Sequence, residues 1–167
     1  RTLFCAKLID KLRDTLFTNI DVVGGGIFGV TCAWMLSKNG YYVTLYEKGD
    51  DIINSASFIN QYRLHRGYHY PRSKETTESS KKGTNSFIKY YGESLLKNTE
   101  NYYCISKDDS LTDSETYHKF MEQSSLPYQE VEVDGVRNDS VQTSVKVEEN
   151  LFSPEKLKKL CWNYLGM

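Results

Sequence analysis

Three glycines and one acid carry the residue types and spacing that point to chemistry in this chain: Gly24, Gly26, Gly29 and Glu47. The glycines stand in the string GGGIFG, a G-x-G-x-x-G arrangement, and Glu47 follows 18 residues after the last of them. Gly24 permits a tight turn out of a strand. Gly26 has no Cβ, so backbone there can approach a pyrophosphate. Gly29 lets a helix pack closely on a sheet. The start of that helix, at Ile27 and Phe28, offers unpaired N–H groups and a partial positive charge to phosphates. A carboxylate at Glu47 can accept hydrogen bonds from ribose hydroxyls and would repel a 2′-phosphate, which argues against NADP. The pattern therefore reads as a dinucleotide site, with nicotinamide or flavin left open by the glycines themselves.

The motif has force only in its context of strand, glycine turn, helix and strand. Ile20–Val23 is a short apolar run that reads as a buried strand. Residues 27–38 read as a helix, with Ala33 and Leu36 as small residue and apolar anchor and Gly40 as the stop. Val43–Tyr46 reads as a second strand ending at Glu47. Together they predict a βαβ unit with parallel strands. Ahead of it, Leu3, Leu8, Leu12 and Leu16 recur at helical spacing over 2–16. After it, residues 50–72 show no period and read mostly as loop. Lys74–Tyr91 reads as a helix despite Gly83, and Asn101–Ser106 as a strand. Thr112 and Glu115 have capping-box spacing for a helix through about Gln123. Tyr128–Val133 and Ser144–Glu148 alternate as strands around an Asp134-Gly135 turn. Ser153-Pro154-Glu155 starts a last helix through about Tyr164.

Other constellations read as structure. His65 and His69 lie four apart, but Gly67 and Pro71 break any helix there and Arg63, Arg66 and Arg72 oppose a cation, so no metal site is expected; the pair reads as loop histidines held by hydrogen bonds and packing, with a place near the cofactor or an anionic substrate as the alternative. The same arginines form a basic cluster able to hold a carboxylate or phosphate, with a solvated loop face as the alternative. Ser55 and Ser57 have no evident base partner, which argues against nucleophilic catalysis. Glu148 and Glu149 would point to opposite faces of a strand and read as strand-end solvation. Cys32 reads as buried packing. The 13 tyrosines read chiefly as packing.

The chain has 167 residues, 39% apolar and 26% charged, with a net charge of -1. This suits one soluble globular domain and gives no electrostatic footprint for nucleic acid. Four cysteines without metal or disulfide spacing fit a reducing compartment. The charged N-terminal stretch breaks up a signal-peptide core, and no run is long enough to span a bilayer. A cytoplasmic protein with no membrane partner is expected.

The string GGGIFGVTCAWMLSKNGYYVTLYEK resembles the extended fingerprint of FAD-dependent oxidoreductases of the D-amino-acid-oxidase-like superfamily, in which the glutamate is followed by a basic or small residue, as Lys48 is here. SASFINQYRLHRGYHYPRS (residues 55–73) is similar to that family's segment returning over the flavin. VKVEENLFSPEKLKKL is similar to its lead-in to a later helix. The resemblance spans about residues 20–165. It implies FAD as cofactor, and Asn60, Gln61 and Arg63 near its pyrophosphate or isoalloxazine. The short first strand, holding Asn19 and Asp21, departs from the family, and so does the length, since its members are considerably longer.

The expected fold is α/β: a partial, Rossmann-like three-layer FAD-binding domain with the start of an α+β substrate domain. Residues 1–18 would be an extension, 19–75 the βαβ unit and returning loop, 76–150 part of the substrate region, and 151–167 a helix returning to the first domain. The expected function is oxidation of a small molecule by hydride transfer to flavin. This reads the chain as an N-terminal fragment, inactive alone, with no catalytic residue assigned. The alternatives are an NAD-dependent dehydrogenase, a redox-neutral flavoenzyme acting on a nucleotide-sugar, and a truncated non-catalytic remnant.

Overall fold

The computed structural model describes residues 18–59 and 61–166. The helix expected over 2–16 lies outside the described residues, as does Asn60. In chain order the elements are β1 (Asn19–Val23), α1 (Ile27–Lys38), β2 (Tyr42–Tyr46), α2 (Ala56–Ile59), β3 (Arg63–Leu64), α3 (Lys74–Tyr91), β4 (Asn101–Ser106), α4 (Ser114–Gln123), β5 (Tyr128–Glu130), β6 (Val141–Val147), β7 (Asn150–Leu151) and α5 (Pro154–Tyr164). Two compact units contain them: Arg1–Asn60 with Pro154–Met167, and Gln61–Ser153.

In the first unit β1 and β2 are parallel, in register from Asn19 opposite Tyr42 to Val23 opposite Tyr46. With α1 between them they form the expected βαβ unit. Strand side chains alternate faces. Ile20, Val22, Val43 and Leu45 are partly buried, whereas Asn19, Asp21 and Val23 are exposed. The reading of β1 as a buried strand is corrected by this alternation, since Val23 is 85% exposed. The same period accounts for Asn19 and Asp21, which fall on the open face and do not interrupt the strand. Val30 and Ala33 bury the inner face of α1. Cys32 is exposed, contrary to the packing role expected of it, because it precedes Ala33 and so falls on another face of the helix. The chain leaves α1 through Asn39 and Gly40 (φ +87°), where the Tyr41 amide donates to Leu36 O at 3.2 Å. On α5, Leu157 and Cys161 are buried, and Tyr164 stacks on Trp34 of α1 with ring centroids 4.1 Å apart.

In the second unit β4, β6 and β5 form an antiparallel sheet in that order, and β3 pairs antiparallel with β7. The core gathers Tyr68, Tyr117, Phe120, Met121, Leu126, Val145 and Val147. A Cβ at Gly83 would meet nothing, so this glycine interrupts neither the packing nor the course of α3. The stretch 50–72 is mostly loop, as expected, with only α2 and β3 within it. Three expectations change. The cap of α4 is Asp113, which accepts the Thr116 amide at 2.7 Å, and not Thr112; an ionised cap also suits the helix dipole. β5 ends at Glu130, earlier than the expected Val133. β6 spans Val141–Val147 and so begins before Ser144.

Candidate functional site

The glycine turn is built by close backbone approach. Gly24 takes φ +103°, which favours glycine, and its amide donates to Tyr46 O at the end of β2 at 2.7 Å. A Cβ on Gly29 would stand 1.8 Å from Gly24 O, so the first turn of α1 lies directly on the turn that precedes it. Gly26 is the N-cap of α1, and a Cβ there would meet nothing nearer than Ser57 Oγ at 3.7 Å. Among the described residues, the helix N-terminus therefore opens onto free space. No acid stands in its first turn. Ser57 Oγ accepts the Ile27 amide at 3.2 Å. Phe28 is 89% exposed beside it. An open, positively polarised helix end under a bare backbone turn fits a pyrophosphate.

Glu47 closes the other side of this turn. Its Oε2 accepts the Gly25 amide at 2.5 Å and its Oε1 the Gly49 amide at 2.9 Å. Those bonds, with Gly49 the stronger cause and the charge and backbone of Lys48 helping, hold the carboxyl below the usual glutamate range. Each oxygen keeps acceptor capacity for a further donor such as a ribose hydroxyl. Gly25, an unassigned position of the motif, is more tightly enclosed than Gly24 or Gly26. A Cβ there would lie 2.9 Å from Glu47 Oε2 and 3.0 Å from Ile52 Cγ2. Its signal in the sequence was its place in the middle of three consecutive glycines. Glu47 also lines a cleft of about 360 Å³ with Leu45, Gly49, Asp51, Ile52 and Trp162. That volume is within the range of roughly 300–1,000 Å³ common for small-molecule sites.

Thus Gly24, Gly26, Ile27, Phe28, Gly29, Glu47 and Lys48 are gathered in the first unit. Gln61 and Arg63 belong to the second, where Gln61 is exposed and Arg63 is engaged by a residue the sequence reading took for a solvated one. Glu149 is 3% exposed. Its Oε2 accepts Arg63 Nη2 at 2.9 Å and the Tyr103 hydroxyl at 3.1 Å, and its Oε1 accepts the Arg66 amide at 2.8 Å. Glu148 is exposed and pairs with Arg66 Nη1 at 2.9 Å. The two acids do face apart, but the expectation of strand-end solvation fails for Glu149, a buried carboxylate at the centre of a network. Arg63 and Arg66 of the basic cluster therefore already hold the protein's own carboxylates. The Arg63 guanidinium also lies 4.7 Å over the Tyr103 ring. Arg63 Nε and His65 Nδ1 are buried without a hydrogen-bond partner among the described residues. Burial pushes the His65 imidazole below its ordinary value, against the pull of Glu149. Burial and Glu149 push the Tyr103 hydroxyl up.

His65 and His69 stand with ring centroids 5.8 Å apart, and among the described residues no His, Cys, Asp and Glu group suits a metal. No described helix is long and apolar enough to cross a membrane.

Known proteins share sequence and fold with this chain. The family described as FAD dependent oxidoreductase matches residues 20–158. FAD-dependent monooxygenase FPY4 of Fusarium mangiferae is 33% identical over 134 residues, which is 80% of this chain and 36% of that protein. FAD-dependent monooxygenase kojA of Aspergillus flavus is 36% identical over 92 residues, 55% of this chain and 22% of that protein. The chain thus spans about a third or less of the length of these relatives. The glycine oxidase of Geobacillus kaustophilus shares the fold, with a TM-score of 0.67 at 15% identity over 87% of this chain and 43% of its own. The cofactor in the family's description and in both relatives' names is FAD, so flavin replaces the nicotinamide alternative. With the glycine turn, the acid beyond it and a match that runs through both units, this chain belongs to the FAD-dependent oxidoreductase family.

Proposed function

We propose that this chain is the dinucleotide-binding N-terminal part of an enzyme that oxidises a small molecule by hydride transfer to FAD. The observation that carries the reading is the pairing of the open α1 N-terminus at Gly26 with the Glu47 carboxylate, tied through Gly25 into one turn. When bound, FAD supplies the electron acceptor for the hydride. The amides at Gly26, Phe28 and Gly29 would face its pyrophosphate, the Ile27 amide would join them on leaving Ser57 Oγ, and Gly24 would set the turn. Glu47, flanked by Lys48, would hold the ribose. Asn60, Gln61 and Arg63 would lie toward the pyrophosphate or flavin, as the resemblance implies. Residues 76–150 would begin the substrate region. The proposed location is the cytoplasm, supported by the exposed thiols of Cys32 and Cys104. Nucleic acid and membrane are not proposed as partners.

An absorption spectrum of the purified chain, with and without added FAD, tests this beside Glu47→Ala. Flavin bands that co-purify or titrate in, and weaken in the variant, are expected. A chain that binds no FAD at any concentration up to solubility overturns the reading.

A further inference from the structure

We propose that Trp162, oriented by Asp51, is the aromatic wall against which the adenine ring of the dinucleotide lies. The inference rests on the cofactor reading above and extends it to two residues outside the glycine motif. Glu47 and Trp162 line the same cleft. A base attached to a ribose held by Glu47 extends at most one sugar away from it, which keeps the base within that cleft. Leu45 and Ile52 make part of the lining apolar, as a planar base requires, and Trp162 supplies a flat π-face for stacking.

The indole is held, not loose. Trp162 Nε1 donates to Asp51 Oδ1 at 3.1 Å. Lys158, one helical turn earlier and so on the same face of α5, donates to Asp51 Oδ2 at 3.0 Å. Both side chains thus grip one carboxylate. Lys158 also donates to Asn54 Oδ1 at 2.6 Å, and the Ile52 amide donates to Asp51 Oδ1 at 2.8 Å. Lys158 is the largest cause holding the Asp51 carboxyl below its ordinary range, so the grip persists at neutral pH. Beside it, Leu157 and Cys161 bury the adjoining face of α5. Trp162 itself stays out of the core, partly exposed at the cleft wall. A rigid helix, a fixed ring plane and a partly exposed face are the features of a preorganised stacking surface. Asp51 is therefore a positioning residue and Trp162 a binding one.

The test uses the chain's two tryptophans. In a Trp34→Phe background Trp162 is the sole indole, and ADP carries the adenine, ribose and pyrophosphate without the flavin. Titration with ADP should change Trp162 emission saturably, while FMN, which has no adenine, should not. Trp162→Ala should raise Kd for both ADP and FAD by about tenfold, in line with the usual worth of base–aromatic stacking. Trp162→Phe keeps a ring and loses the bond to Asp51, so it should recover most of the affinity, and far-UV circular dichroism should match the parent in each case. If Trp162→Ala does not fold, the emission titration and Trp162→Phe still decide. ADP and FAD binding within twofold of the parent in Trp162→Ala, or emission unmoved by bound ADP, overturns the assignment and leaves the cofactor reading standing. Failure of the parent chain to bind either ligand removes both.

Discussion

The carbonyl oxygen of Gly24 lies 1.8 Å from the point that a Cβ on Gly29 would occupy. No side-chain rotation can relieve that contact, because both groups belong to the backbone. Gly29→Ala must push α1 off the turn, and overpacking of this kind costs roughly 1–3 kcal/mol or more. Gly26→Ala is the contrast, since its Cβ enters open space before the helix N-terminus. We therefore predict that Gly29→Ala lowers the thermal midpoint and FAD binding together, while Gly26→Ala, which changes only the N-cap of α1, lowers the midpoint much less and chiefly weakens FAD. Circular dichroism melts with flavin titrations on the two variants check this, and identical behaviour of the two would refute it.

Glu47 gives a prediction with a definite sign in pH. Its folded pKa is depressed, mainly by the Gly49 and Gly25 amides. A depressed carboxyl contributes above its unfolded value and loses its contribution as pH falls through the lower folded value. Affinity for FAD that depends on Glu47 should be flat from neutral pH down to the ordinary glutamate value of 4.5, and should fall only beneath it. Glu47→Gln should bind FAD roughly tenfold more weakly at neutral pH, the scale of a lost charged hydrogen bond, and should lack the acidic step. A parent titration showing loss already at pH 6 would contradict the assignment.

The glycine turn was legible in the sequence because each of its tasks is local. A positive φ at Gly24 and a missing Cβ at Gly29 are settled by residues a few positions apart, and β2 delivers Glu47 by its length. The long helices were equally legible, since α3 and α5 run far enough to show a period and α1 is bounded by the glycine turn and by Gly40. Glu149 was not legible, because its partners Arg63, Arg66 and Tyr103 lie 86, 83 and 46 residues away. Nothing in the doublet Glu148-Glu149 says which acid turns inward. Asp51 and Trp162 are 111 residues apart and were hidden for the same reason. Pairings closed by topology leave no spacing to read.

Glu149 should matter more to stability than its place in an acidic doublet suggests. Its side chain is fully buried and that of Arg63 is 19% exposed. Removing one charge of such a pair leaves the other buried without compensation, at a cost of roughly 3–5 kcal/mol. Glu149→Gln should therefore lower the urea midpoint of the chain sharply. Glu148→Gln, at an exposed pair with Arg66, should shift it by no more than about 1 kcal/mol. Equilibrium urea denaturation of both variants checks the contrast, and equal midpoints would show that the buried network adds nothing.

The thiols separate in a way that burial alone dictates. Cys32 and Cys104 are exposed, and Cys161 is buried on the inner face of α5 at 0% exposure. Only accessible thiols exchange readily, because the thiolate must meet its reagent. In a Cys5→Ser background, a chromogenic disulfide reagent should titrate two thiols quickly in the native chain. The third should react only on unfolding. Cys32→Ser should remove one fast equivalent and leave the slow one unchanged. A native chain that shields the thiol of Cys32 would restore the packing role the helical pattern suggested. The exposed outer face of α1 would then have to be covered in solution.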